Sequence, residues 1–244
     1  MEQVRDLAQA ILRAHRRHPR ERAPRERATM TVRRQRRGDA IESLSGPTHD
    51  RLLRRLRATA AGAELLRNRP EIAPVLEDRA ALARLPEGSL GCAYLAFMES
   101  EGISAAGIIA ASREGRAHAI EGATDLEYLQ RRMRDTHDLW HAVTGYRGDI
   151  LGEAALLGFT LAQTGNPGVG VIFGAALVKS HEQRGAQRLI VDGFRRGRRA
   201  ASFVQVAWEA ELARPVNEVR LGLGIDALPL YTPLRNGFPI RAAA

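Results

Sequence analysis

Only one of the 244 residues is a cysteine, Cys92, which excludes an internal disulfide framework and any cysteine-rich zinc or iron–sulfur site. A reducing compartment is the natural setting. Aromatic residues make up 5%, so a core must be built mainly from Ala, Leu, Val and Ile. Lysine is almost missing: Lys179 stands alone among 37 basic residues, a pattern of codon bias rather than of functional choice. The first 45 residues never string together an apolar run of the kind a signal peptide needs, so none is expected. Nor is there an alternating run of β-branched residues long enough for a convincing strand. What is present, 44% hydrophobic and 27% charged residues, is ordinary for a globular protein and excludes a collagenous, low-complexity or wholly disordered chain.

A net charge of +9 would suggest nucleic acid, but its distribution argues otherwise. Residues 1–60 carry 16 Arg against 7 acids, while the remaining 184 residues balance at 21 against 21. The basicity belongs to an N-terminal arm. From Ala14 to Gly38 the chain has two prolines, dense Arg and almost no large apolar residues, so it is expected to be disordered or loosely helical. Such an arm is either a solvated tail or a contact for anionic lipid headgroups, each basic residue adding about 1 kcal/mol near that surface. Glu2, Asp6, Glu21 and Glu26, with no Ser nearby, disfavour a mitochondrial transit peptide. The expected organisation is an Arg-rich arm over residues 1–45 and one all-α domain over 46–244.

From Thr48 onward the apolar spacing is helical, with Leu52, Leu53, Leu56, Leu65 and Leu66 recurring at three and four. Punctuation at Asn68-Arg69-Pro70 and Pro86-Glu87-Gly88 separates helices whose cores are Ile72–Leu82 and Leu90–Met98. The clearest start signal opens a helix over 124–144, where Thr124 and Glu127 form a capping box. At 100° per residue from Leu126, Leu129, Met133 and Trp140 fall at about −60°, −20° and −40°. His137 and His141 fall at about +20° and +60°, on the same apolar face, with Asp138 on its flank at about 120°. Two histidines four apart project toward one point, as metal chelation requires. Thr144-Gly145 ends the helix and Asp149 caps a second one, in which Glu153 lies one turn inside. An antiparallel helical hairpin therefore sets Glu153 level with His141 and completes a site of His137, Asp138, His141 and Glu153. A lone histidine on an apolar face is more often a core residue than a ligand. Here four donors converge, and an unpaired buried carboxylate is costly without a cation.

His137-Asp138-Leu139-Trp140-His141, eleven residues, then Glu153 resembles His-Asp-x-x-His-x(11)-Glu, the signature of the coenzyme Q (ubiquinone) biosynthesis protein 4 family. The resemblance extends through Thr144-Gly145-Tyr146, Leu151-Gly152-Glu153, Gln163-Thr164-Gly165-Asn166-Pro167, Gly197-Arg198-Arg199, Trp208-Glu209 and Leu223-Gly224-Ile225. It covers roughly Leu53 to Ile225 and leaves the Arg-rich arm without a counterpart. It implies a single multi-helix all-α domain acting in ubiquinone synthesis on polyprenylated hydroxybenzoate intermediates. It also implies His137, Asp138, His141 and Glu153 as the ligands of a divalent metal, zinc being the usual one, and catalysis through that metal. The implied reaction is removal of the ring carboxylate, a carboxy-lyase activity that some accounts couple to hydroxylation; the alternative is a non-catalytic lipid-binding scaffold that organises the biosynthetic complex. The implied partners are the membrane surface, other ubiquinone biosynthesis proteins and a second copy of the chain. The implied location is the inner membrane surface, facing the cytoplasm, or the matrix in a mitochondrion.

From Ala154 to Val178, 25 consecutive residues carry no charge, enough to span a bilayer by length alone. Gln163-Thr164-Gly165-Asn166-Pro167-Gly168 breaks the run into pieces too short to cross, so no membrane helix is expected. Its small residues suit either tight helix packing or a greasy groove for an isoprenoid tail beginning beside the metal. The basic cluster Arg195-Arg196-Gly197-Arg198-Arg199 is either a solvated face or a clamp for a carboxylate or lipid phosphate. The candidate substrate- and lipid-binding residues are Phe159, Gln163, Gly170, Gly174 and Arg199. Two further classes fit less well. A His-Glu-x-x-His hydrolase would place Glu where Asp138 stands, one methylene too short to serve readily as base to a bound water. A nucleic-acid binder would need aromatic interleaving that the arm lacks.

Overall fold

The leucine spacing that begins near Thr48 is helical in the computed structural model, which describes residues 48–101, 124–183, 185–235 and 238–239. The expected arm over residues 1–45 lies outside these residues. Helix α1, over residues 48–57, buries Leu52, Leu53 and Leu56. Thr59 then caps α2 (Ala60–Asn68), its side chain accepting from the Gly62 amide. The expected single helix through Ile72–Leu82 is two, α3 (Ala73–Glu77) and α4 (Arg79–Ala83). The break is at Asp78, whose carboxylate takes the Ala81 amide and so starts a new helix instead of continuing the old one. Ser89 caps α5 (Leu90–Ser100), which buries Leu90, Tyr94 and Met98.

The Thr124–Glu127 capping box is formed, and it opens α6 (Asp125–Asp135). The expected continuous helix over 124–144 is interrupted at Thr136, after which α7 (His137–Thr144) carries both histidines. Thr136 sends its hydroxyl back to the Arg132 carbonyl at 2.9 Å, the local competition that bends helices at Thr. The chain then makes α8 (Ile150–Thr164), capped by Asp149, and α9 (Pro167–Lys179), capped by Asn166 with Pro167 in its first turn. Gly165 separates them in the left-handed conformation. The uncharged run is thus divided where expected, and among the described residues no helix is long and apolar enough to cross a membrane. A 3₁₀ turn (Ser180–Glu182), α10 (Ala186–Arg199), a second 3₁₀ turn (Phe203–Gln205), α11 (Trp208–Glu211) and α12 (Val216–Gly222) follow. The described chain is all-α, apart from a two-residue antiparallel pairing of Leu234–Arg235 with Phe238–Pro239.

Four of the aromatic residues form a knot. Trp140 meets Phe159 and Phe203 edge-on at ring separations of 6.1 and 5.5 Å, and Phe203 meets Phe159 and Trp208 at 4.8 and 5.5 Å. This knot joins α7, α8, the second 3₁₀ turn and α11, and edge-to-face pairs of this kind add about 0.5–1.5 kcal/mol each beyond their burial. Helices α8 and α10 approach backbone to backbone, because small residues line the contact. A Cβ on Gly193 would lie 2.1 Å from the Ala155 carbonyl oxygen, one on Gly197 2.6 Å from that of Phe159, and one on Gly158 2.7 Å from that of Ile190. A Cβ on Gly174 would meet nothing within 4 Å. The two kinds of glycine make opposite demands. Gly193→Ala should overpack the contact and cost about 1–3 kcal/mol, lowering Tm by about 2–4 °C for each kcal/mol. Gly174→Ala should leave Tm unchanged or raise it, because alanine is up to about 1 kcal/mol the better helix former. Thermal unfolding of the two variants side by side checks the contrast, and equal shifts would contradict it.

Candidate metal centre

Helix α7 is held from both ends. Just before it, Arg132 of α6 is buried and grips Glu209 of α11 with two parallel bonds of 2.8 Å, while also donating to the carbonyls of Pro70 and Val206. A forked pair of this kind, its guanidinium buried and its carboxylate partly exposed, fixes geometry as well as adding a charge-assisted bond. At the far end, the last carbonyls of a helix have no partner inside it. Arg220 of α12 donates to Ala142 and Val143 at 2.9 and 3.0 Å, and Arg196 of α10 donates to Thr144 at 3.0 Å. Cations at a helix C-terminus also match its dipole. Arg196 lies over the Tyr146 ring as well, 5.0 Å from its centre.

Gly145, at φ 77°, turns the chain in the left-handed conformation and sends its amide back to the His141 carbonyl. The turn brings the carbonyl of Tyr146 to His141 Nδ1 at 2.9 Å. A carbonyl only accepts, so Nδ1 carries the proton and Nε2 is left with a lone pair. The loop is tied down further by Gly148 donating to Glu101 Oε1 at 3.1 Å and by Arg147 donating through its amide to the Tyr231 hydroxyl at 2.9 Å. It folds hard against the first turn of α8: a Cβ on Gly152 would stand 2.0 Å from the Arg147 carbonyl oxygen. Glu153 follows at once, in the first turn of α8, where the helix dipole favours a carboxylate.

His137, His141 and Glu153 thereby converge, and one donor atom from each lies within 4.8 Å of the others, a group that could hold a metal ion. His141 Nε2 is 3.3 Å from Glu153 Oε1, and His137 Nε2 is 3.8 Å from Glu153 Oε2. The two imidazoles meet edge-on with ring centres 4.8 Å apart. His141 is 1% exposed and stacked on Phe97 of α5 at 5.1 Å, whereas His137 and Glu153 keep about a quarter of their side-chain surface open. Asp138 stands beside the group rather than inside it, with Oδ1 accepting from His137 Nδ1 at 3.1 Å. Charge couples all four. Burial disfavours a charged imidazole at His141, but the Glu153 and Asp138 carboxylates outweigh it and raise its pKa. Burial likewise opposes ionisation of Glu153 and Asp138, yet the facing imidazoles hold both below the ordinary carboxylate range. Burial together with the Asp138 charge pushes the Tyr94 hydroxyl upward.

The two ligand-bearing helices meet at the site, but each has its larger packing elsewhere, α7 on α5 and α8 on α10. The other residues marked from the sequence are placed as follows. Phe159 is inside the aromatic knot. Gln163 staples α8 to α10 and to the segment after it, Nε2 donating to the carbonyls of Gly197 and Ala201 and Oε1 accepting from the Phe203 amide. Gly170 has only Leu161 within 4 Å of its Cβ position, Gly174 faces open space, and Arg199 is exposed near the end of α10. The ring of Phe97 and the carbonyl of Tyr146 were not singled out from the sequence. Phe97 reads there as one more apolar residue of α5, and a main-chain carbonyl leaves no side-chain signal.

The family model for the coenzyme Q (ubiquinone) biosynthesis protein Coq4 matches residues 20–229. A Pyricularia oryzae protein named ubiquinone biosynthesis protein COQ4, mitochondrial, is 32% identical over 206 residues, covering 80% of this chain and 64% of that one. An Arthroderma otae protein of the same name is 31% identical over 232 residues, covering 87% and 82%. In the Neurospora crassa relative, 31% identical, the chain spans 57% of the length, so it accounts for less than two thirds of some of the proteins it resembles. Among solved structures, a protein of Nostoc punctiforme provisionally ascribed to ubiquinone biosynthesis superposes with a TM-score of 0.57 at 21% identity, covering 93% of this chain and 98% of that one, a likeness of fold. By the extent of the family match and by its relatives, this chain belongs to the Coq4 family of ubiquinone biosynthesis proteins.

Proposed function

We propose that the chain holds a divalent cation, zinc by its donor set, and uses it to remove the ring carboxylate of a polyprenylated 4-hydroxybenzoate intermediate at a membrane surface. One observation carries the metal reading. His141 Nε2 is buried without a hydrogen-bond partner and faces Glu153 Oε1 at 3.3 Å, while its Nδ1 proton is committed to Tyr146. Two lone pairs confronting each other away from water are stable only with a proton or a cation between them. Imidazole nitrogen and carboxylate oxygen are the donors zinc takes, and a set of three from the protein leaves a position for a substrate.

His137, His141 and Glu153 are the residues that would hold the ion. A cation there supplies Lewis acidity to an oxygen of the bound ring. The remaining work belongs to the protein. Phe97 covers one face of His141 and keeps water from it, whereas the part-open edges of His137 and Glu153 give a substrate its approach. Loss of carbon dioxide requires a proton at the ring carbon, which must come from a group the ion does not engage. The family membership supports the pathway, and the isoprenoid character of that pathway's intermediates supports action at a membrane surface.

Purified, metal-loaded protein given a short-tailed hydroxybenzoate substrate should release carbon dioxide, and His141→Ala should lose both bound metal and turnover, by at least about 100-fold. Unchanged turnover in His141→Ala would dispose of metal-dependent catalysis, and absence of turnover in the metal-loaded wild type would favour the scaffold.

The chelated protein offers a second check. The raised His141 pKa makes its pairing with Glu153 fully stabilising below the unfolded value of 6.5, and that stability is lost as pH rises through the folded value. The lowered Glu153 pKa makes its share fully present above 4.5 and lost as pH falls through its folded value. The Tm difference between chelated wild type and His141→Gln should therefore be greatest between about pH 4.5 and 6.5 and shrink on either side. A difference independent of pH would contradict the pairing.

A further inference from the structure

We infer that Asp138 acts on the metal only through His137, as a positioning residue, and that the protein supplies three ligands: His137 Nε2, His141 Nε2 and Glu153. The inference rests on the metal reading above and concerns how that site is built.

An imidazole can bind a cation only through an unprotonated nitrogen, and which nitrogen that is depends on what the other one meets. The two histidines solve this in the same way with different partners. His141 gives its Nδ1 proton to the Tyr146 carbonyl at 2.9 Å. His137 gives its Nδ1 proton to Asp138 Oδ1 at 3.1 Å. Both are thereby left with the lone pair on Nε2, and both Nε2 atoms are turned toward Glu153, at 3.3 and 3.8 Å. Donor atoms about 2.0–2.1 Å from a tetrahedral ion sit about 3.3 Å apart, close to both imidazole–carboxylate separations, while the whole group, within 4.8 Å, must draw in further to close on a cation.

Asp138 does not share that geometry. Its carboxylate is bonded on the Nδ1 side of the His137 ring, and the Nδ1–H bond and the Nε2 lone pair point apart. On the helix, His141 is only about 40° around from His137, whereas Asp138 is about 100° around. Neighbours in sequence on a helix do not face one another. The convergent donor group accordingly comprises His137, His141 and Glu153. Asp138 bonded to Nδ1 makes His137 a stronger donor and orients its ring, the usual work of a carboxylate behind a metal-binding histidine.

The test uses the full chain, stripped and reloaded with Co(II) alone, with affinity measured by titration and coordination read from the visible ligand-field bands. Asp138→Asn, whose amide oxygen still accepts from Nδ1, should keep the wild-type bands and bind within about tenfold of wild type. Asp138→Ala should also keep the bands but bind about 10–100-fold more weakly, the loss expected for an outer-shell partner. Glu153→Gln, which changes a ligand, should shift the bands. If Asp138→Asn shifts them as Glu153→Gln does, Asp138 is a ligand and the inference fails while the metal reading stands. Unchanged affinity in Asp138→Ala also overturns it, by removing the positioning role. Failure of the wild-type chain to bind Co(II) overturns the inference and the metal reading together.

Discussion

The carbonyl of Tyr146, by taking the Nδ1 proton of His141, decides what the buried side of that ring can do. Everything that sets this carbonyl in place contributes to the site. Gly145 must be left-handed to turn the chain back, and Gly152 must lack a side chain for the loop to press against α8. Arg196 and Arg220 must satisfy the carbonyls that the end of α7 would otherwise leave unpaired. Most of these groups have no claim to chemistry of their own. They form a scaffold of hydrogen bonds whose product is one directed lone pair.

Much of this was legible in the sequence, and the parts that were legible are local. The capping box at Thr124 and Glu127, the glycine stop at Gly145, the cap at Asp149 and the division of the apolar run near Asn166 each depend on residues within one helical turn. The approach of Glu153 to His141 also followed from counting turns on either side of a short loop. The bend at Thr136 and the break at Asp78 were not legible, because each depends on a side chain choosing its own backbone over a helix that the apolar spacing alone would continue. The packing partners of α7 and α8 are tertiary facts that helix periodicity does not encode.

The small residues of the uncharged run show why composition alone left two readings open. Gly158, together with Gly193 and Gly197 of α10, makes room for another backbone. Gly174, on the next helix, makes room for nothing within reach. Gln163, polar in an apolar stretch, is accounted for by its three bonds to α10 and the chain beyond it. The same letters in the same run therefore serve different ends, and only the neighbouring helix tells them apart.

The close seating of α8 on α10 has a mechanical consequence. Glu153 rides on the α8–α10 pair, whereas both imidazoles ride on α7, which packs on α5 and is tied to that pair by the Trp140–Phe159 contact and the Arg196–Thr144 bond. The gap between acid and imidazoles is therefore set by how these two packings are keyed together. The centre thus doubles as a clasp: a cation closing that gap would add one more tie between α7 and α8, beside the five-residue loop and the Trp140–Phe159 contact that already join them.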